Sequence, residues 1–120
     1  MPSPLRQARN TTRNVTLAQQ VRVADNPVTR LVGLLGTPRA KFQPGCGLWI
    51  RPCRGIHTLG MGYPIDAIYL DRDMRIIQIL HAIAPWRVGP VLWTCRSVLE
   101  LPAGTAELTG TIVGDQLAIM

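Results

Sequence analysis

The sequence predicts a mainly β fold, a single compact β-sandwich or barrel-like domain of about seven short strands with one short helix near its N-terminal end. Three observations carry this expectation. Ten Pro and eleven Gly in 120 residues interrupt helices too often for a helical bundle. Apolar residues recur at a period of two in several short segments. Gly, Pro and Asp cluster between those segments, where turns belong. Hydrophobic residues make up 47% of the chain and charged residues 17%, a globular composition. The length suits one core without staples.

Taken in order, residues 1–13 are rich in Pro, Asn, Thr and Arg and predict a disordered basic arm, with the single β-rich domain following over residues 14–120. Val15, Leu17, Val21 and Val23 fall on odd positions, the alternation of a half-buried strand or of two short ones. Asp25-Asn26-Pro27 reads as a helix start, because Asn or Asp caps free N–H groups and Pro suits the first helical position. Val28, Leu31, Val32 and Leu35 continue at helical spacing, and Gly36 ends the run. Pro38 to Pro44 is a loop, and Gly47 to Ile50 a short strand. Ile56 to Met61 is extended until Gly60, Gly62 and Pro64 break it. Ile65 to Leu70 and Met74 to Ile83 form a hairpin across Asp71-Arg72-Asp73. Pro85, Gly89 and Pro90 mark a loop carrying Trp86 and Arg87. Thr94 to Leu101 is a strand, residues 103–110 a turn or short helix, and Ile112 to Ile119 closes the chain after a turn at Gly114-Asp115.

The net charge is +6, and all but Lys41 of the 13 basic residues are Arg. They are scattered singly rather than interleaved with aromatics, so no specific nucleic-acid binding is expected. Three cysteines, Cys46, Cys53 and Cys95, make an odd count that cannot form a complete internal disulfide framework. With no apolar leader and no membrane-length apolar run, a cytoplasmic protein is expected, exported only if a leader has been removed. Cys46, Cys53 and His57 follow a C-x6-C-x3-H spacing that matches no usual zinc pattern. On an extended chain Cys53 and His57 would stand roughly 13 Å apart, so no metal and no cofactor are expected.

Alternation places Asp66 on one face with Ile68 and Leu70, and His57 on one face with Leu59 and Met61. A buried carboxylate needs a partner, and an inward His beside it would supply one and could do acid–base work. Glu100 falls opposite Leu99 and Leu101, which predicts a solvent-facing carboxylate near Arg96. Trp86-Arg87 sits in a Pro/Gly loop that could rim a pocket.

The chain also resembles domain-of-unknown-function family 192. The resemblance runs from about Val21 to Ile119. It is carried by Thr29-Arg30-Leu31-Val32-Gly33-Leu34-Leu35, by Gly47-Leu48-Trp49-Ile50 and by Ile56-His57-Thr58-Leu59-Gly60-Met61. It continues through Pro64-Ile65-Asp66-Ala67-Ile68-Tyr69-Leu70-Asp71, Val98 to Gly104, and Gly114-Asp115. It implies a β-sandwich or barrel-like fold with a short early helix, and recurrent polar positions at Asp66, Glu100 and Asp115. Many members have Trp-Met-Lys-Asn-Thr where this chain has His57 to Met61, so it is similar to a His-Thr branch. The resemblance also implies an association with pilus or secretion machinery.

The expected function is a non-catalytic binding or accessory module, holding a small ligand or a protein partner. Its polar pocket is expected around His57 and Asp66, with Thr58, Met61, Trp86, Arg87, Glu100 and Asp115 as further candidates. The alternatives are a small enzyme with His57 and Asp66 as an acid–base pair, and an accessory protein of a pilus or secretion apparatus.

Overall fold

The computed structural model describes residues 5–120. Strands β1 (Arg6–Asn10) and β2 (Val15–Ala24) form an antiparallel hairpin, and helix α1 (Pro27–Val32) follows. Next come β3 (Gly45–Ile50), β4 (Ile65–Leu70), β5 (Ile76–Ile83), β6 (Ser97–Pro102), helix α2 (Thr105–Leu108) and β7 (Leu117–Ile119). All seven strands belong to one sheet in the order β5-β4-β6-β3-β2-β1-β7. Every neighbouring pair is antiparallel except β2 with β3, which run parallel because α1 carries the chain back between them.

The sheet curls into a half-barrel until its two edge strands touch. Ile76 N–H donates to Asp115 O, Gly114 N–H to Ile76 O and Leu117 N–H to Met74 O, each at 2.9 Å. The mainly β fold and the β4–β5 hairpin across Asp71-Arg72-Asp73 are therefore as the sequence predicts.

Residues 6–10 depart from the expected disordered arm. Arg6–Asn10 is a strand between β2 and β7, pairing Ala8 with Ala18 on one side and with Ile119 on the other. Its inward face carries only Ala8 and Asn10, both fully buried, so no apolar alternation marks it. Asn10 Nδ2 donates to Thr111 Oγ1 (3.1 Å) and Asp115 Oδ2 (2.9 Å), partners more than a hundred residues along the chain. Residues 1–4 of the expected arm lie outside the described residues.

The two faces of the sheet bury different clusters. Leu17, Val21, Trp49, Ile68, Leu70, Leu99 and Leu101 fill the inside of the curl. Leu48, Ile50, Ile65, Ala67, Tyr69 and Val98 point the other way, under a cover made by Leu34, Phe42, Ile56, Met61 and Tyr63. Both faces of β4 are buried for this reason, and β6 is buried throughout up to Leu101.

Candidate functional site

The cover over the outer face is two irregular connections laminated together. Thr58 N–H donates to Arg87 O (2.8 Å), Trp86 N–H to Thr58 O (2.9 Å), Gly89 N–H to Ile56 O (2.9 Å) and Leu92 N–H to Arg54 O (2.9 Å). The Thr58 hydroxyl donates to Ala84 O (2.6 Å) and accepts from Arg87 N–H (2.9 Å), so Thr58 is a buried fastener. Gly55 permits the closest approach: a Cβ there would stand 2.6 Å from Pro90 O. Tyr69 closes the layer, its hydroxyl donating to Pro90 O at 2.9 Å. Burial pushes that phenol up to about 12.

Helix α1 forms the opposite wall. Asn26 Oδ1 accepts from Thr29 N–H (2.9 Å) while Thr29 Oγ1 accepts from Asn26 N–H (3.3 Å), a reciprocal cap. The helix stops at Gly33, whose φ of +52° ends it sooner than the apolar spacing through Leu35 suggests. None of its residues is buried, and Leu31 and Val28 stand exposed. Arg30 Nη1 donates to Pro52 O (3.1 Å), tying α1 to the cover.

Between α1 and the cover lies a cavity of about 150 Å³. Leu31, Leu34, Leu35, Ile50, Ile56 and Met61 give it apolar walls, and Arg30, Cys53, His57 and Glu100 supply its polar groups. Glu100 is 3% exposed, not solvent-facing. It lies on the Val98 face of β6, which would meet water in an uncovered sheet but here faces the second cluster. Its carboxyl accepts no hydrogen bond among the described residues, and burial alone pushes it up to about 8. Arg30 Nε is buried without an acceptor among the described residues. Cys53 lies within the field of both. Burial pushes its thiol up, a backbone hydrogen bond with Gly55 draws it down, Glu100 raises it and Arg30 lowers it. A wider open trough of about 490 Å³ beside Trp49, Arg51 and Arg96 holds no buried titratable side chain.

Asp66 belongs to a different place. It faces the inside of the curl with no exposure. Oδ1 accepts from Ala82 N–H (2.8 Å) and Gly104 N–H (3.2 Å), and Oδ2 from Ala106 N–H (2.9 Å). Asp66 thus caps α2 from across the sheet, where Gly104 offers no side chain of its own. His57 is exposed, and its Nδ1 accepts from Leu59 N–H at 3.2 Å. The two are not hydrogen-bonded. His57 sits on the cover outside the sheet, paired only through an isolated bridge to Val88, so strand alternation does not govern it.

Met61 lines the cavity, whereas exposed Trp86 and Arg87 do not. Asp115 lies at the meeting of the sheet edges. Burial pushes its carboxyl up, but hydrogen bonds from Asn10, Arg13 and Ile112 N–H outweigh that and hold it below its ordinary value. Arg13 Nε pairs with it at 2.6 Å. Sequence reasoning did not place Arg30 or Cys53 in the pocket. The only available signal was Arg30 next to the apolar positions of α1. Among the described residues no three His, Cys, Asp or Glu side chains converge as metal ligands. No described helix is long and apolar enough to cross a membrane.

The fold and pocket define a small protein with a curled seven-stranded sheet and one covered face. The family described as "Uncharacterized ACR", domain-of-unknown-function family 192, matches residues 8–119, and the chain belongs to it. A UPF0127 protein of Pyrococcus horikoshii is 29% identical over 109 residues, covering 90% of this chain and 94% of that one. A second, from Pyrococcus furiosus, is 30% identical over 109 residues, covering 90% and 93%. A solved Novosphingobium aromaticivorans protein of unknown function shares the fold at TM-score 0.78 and 18% identity, over 95% of this chain and 83% of its own. A Sinorhizobium meliloti structure, described in provisional terms as a transcription regulator, does so at TM-score 0.79 and 21% identity, over 99% and 98%.

Proposed function

We propose that this chain is a small-ligand binding module whose site is the cavity between α1 and the 52–61 cover. The carrying observation is Glu100, a carboxyl at 3% exposure that accepts no hydrogen bond among the described residues and lines a largely apolar cavity. Folded proteins pair nearly all buried polar groups, and an unpaired one in a cleft marks a place where something else supplies the partner. Asp66 supports a structural role instead, since three backbone N–H groups occupy it. An acid–base pair of His57 and Asp66 gains no support, because the two do not meet.

The test is a methyl-detected NMR screen of small organic molecules against the folded protein, with Met61→Trp as a variant that fills the cavity. Expected are saturable shifts of the Leu31, Leu34 and Met61 methyls, those of Leu31 and Leu34 being lost in the variant. Shifts that persist unchanged in the variant would defeat the reading.

A second reading has its own observation. Trp86, Val88, Val91 and Trp93 are all exposed on one connection, with the Arg54 guanidinium 5.3 Å from the Trp93 ring centre. Such a surface supports docking to a protein partner, secretion or pilus machinery being the candidate that the family resemblance implies.

A further inference from the structure

We propose that the connection over residues 84–93, with Arg54 and Leu59 beside it, seats this protein on an anionic phospholipid surface. That role is independent of the cavity beside α1. Trp86 is 65% exposed, Val88 73%, Val91 64% and Trp93 77%. Leu59 is exposed as well, next to Thr58, whose carbonyl accepts from Trp86 N–H at 2.9 Å. None of the four side chains on the connection lines the cavity. They project from a backbone held by Thr58, by the Gly89 N–H bond to Ile56 O and by the Leu92 N–H bond to Arg54 O. Trp86 does so at a φ of +62°, a left-handed conformation that a bulky residue adopts only under constraint. Gly or Asn would meet that turn at lower cost, so a large indole held outward there points to a contact made by the indole.

The charge around these residues has one sign. From Arg51 to Ile65 and from Met74 to Leu99 the sequence has no Asp or Glu. Exposed Arg54, Arg87 and Arg96 lie in those stretches, and the Arg54 guanidinium stands 5.3 Å from the Trp93 ring centre. Among the described residues no carboxylate pairs with any of the three. Apolar insertion or a basic patch alone attaches a protein marginally to a bilayer, and the two together attach it stably. An indole suits the headgroup level, its apolar body inward and its N–H at the water. The aliphatic members argue against single-stranded nucleic acid, since Leu59, Val88 and Val91 offer bases no ring to stack on. A stable protein interface takes about 20–30 residues a side, and this patch is a few protruding side chains. A lipid surface asks for no such area, because each inserted side chain adds its own burial.

The experiment is sedimentation of the whole chain with vesicles of phosphatidylcholine alone, or of equal parts phosphatidylcholine and phosphatidylglycerol. Binding to the anionic vesicles is expected to be roughly tenfold or more tighter. Brominated acyl chains should then quench the emission of Trp86 and Trp93 while leaving that of buried Trp49 intact. Trp86→Ser combined with Trp93→Ser should abolish binding and leave only the unquenched Trp49 emission. Arg54→Gln combined with Arg87→Gln should weaken binding roughly fivefold for each charge removed. All four positions are exposed, so both variants should keep the thermal midpoint of the unmodified chain, and the quenching in that chain is read without any variant. Equal binding to the two kinds of vesicle, or binding without quenching of Trp86 and Trp93, overturns the proposal. So does binding to neither, which passes the face to a protein partner, or capture of a single-stranded oligonucleotide that anionic vesicles do not displace. None of these results touches the cavity reading.

Discussion

Two carboxyl groups on neighbouring strands meet opposite fates. Asp66 on β4 turns into the curl and is met by three backbone N–H groups, while Glu100 on β6 turns to the covered face and is met by none. Asp66→Ala should therefore cost about 2–4 kcal/mol in urea unfolding, since it strands three buried donors. Glu100 should behave in the reverse sense. Its folded-state value of about 8 lies above the ordinary 4.5, so the unfolded chain ionises first and stability declines as pH rises between those two values. Glu100→Gln should remove that decline, leaving a gain on the order of 5 kcal/mol above pH 8 and almost none at pH 4, read as urea midpoints against pH. Asp115 has the opposite sign again. Its carboxyl is held below the ordinary 3.8, so the stability it lends is full above that value and disappears as pH falls through its folded value. Asp115→Asn should flatten the acid limb of the denaturation profile. Asp66 was legible because its face could be read from Ile68 and Leu70. Glu100 was not, because alternation assumes that one side of a sheet meets water, and here loops cover that side.

At the scale of elements, β1 carries the sharpest expectation. It lies between β2 and β7, so deleting residues 1–10 exposes a strand edge on each side and removes Asn10 from Asp115. The deletion should lower the thermal midpoint by well over ten degrees, or abolish cooperative melting in a calorimeter. An unchanged midpoint would show that β1 is dispensable. Strand β2 was readable from its apolar alternation, β4 and β5 from the apolar runs on either side of Asp71-Arg72-Asp73, and α1 from its Asn26-Pro27 start. Strand β1 was not, since Arg6-Gln7-Ala8-Arg9-Asn10 offers one apolar residue, and the burial of Asn10 depends on partners at the other end of the sequence. The cover over residues 52–61 was opaque for a related reason. Its shape follows from hydrogen bonds to the 84–92 connection rather than from any local period.

At the scale of the whole molecule, one sheet serves two cores, and its curl is completed where β5 meets the start of β7. The fold class was accessible from turn spacing and strand count, whereas the order of strands was not, because the parallel β2–β3 pairing and the insertion of β1 beside β7 are set by long-range packing. That insertion has a consequence during synthesis. Asn10 and Asp115 bond across 105 residues, so β1 finds its second neighbour only after the five strands between β1 and β7 have been made. Until then β1 presents a bare row of N–H and C=O groups to other nascent chains. A ribosome that stalls before Leu117 would release a product with a sticky flank, in need of a chaperone.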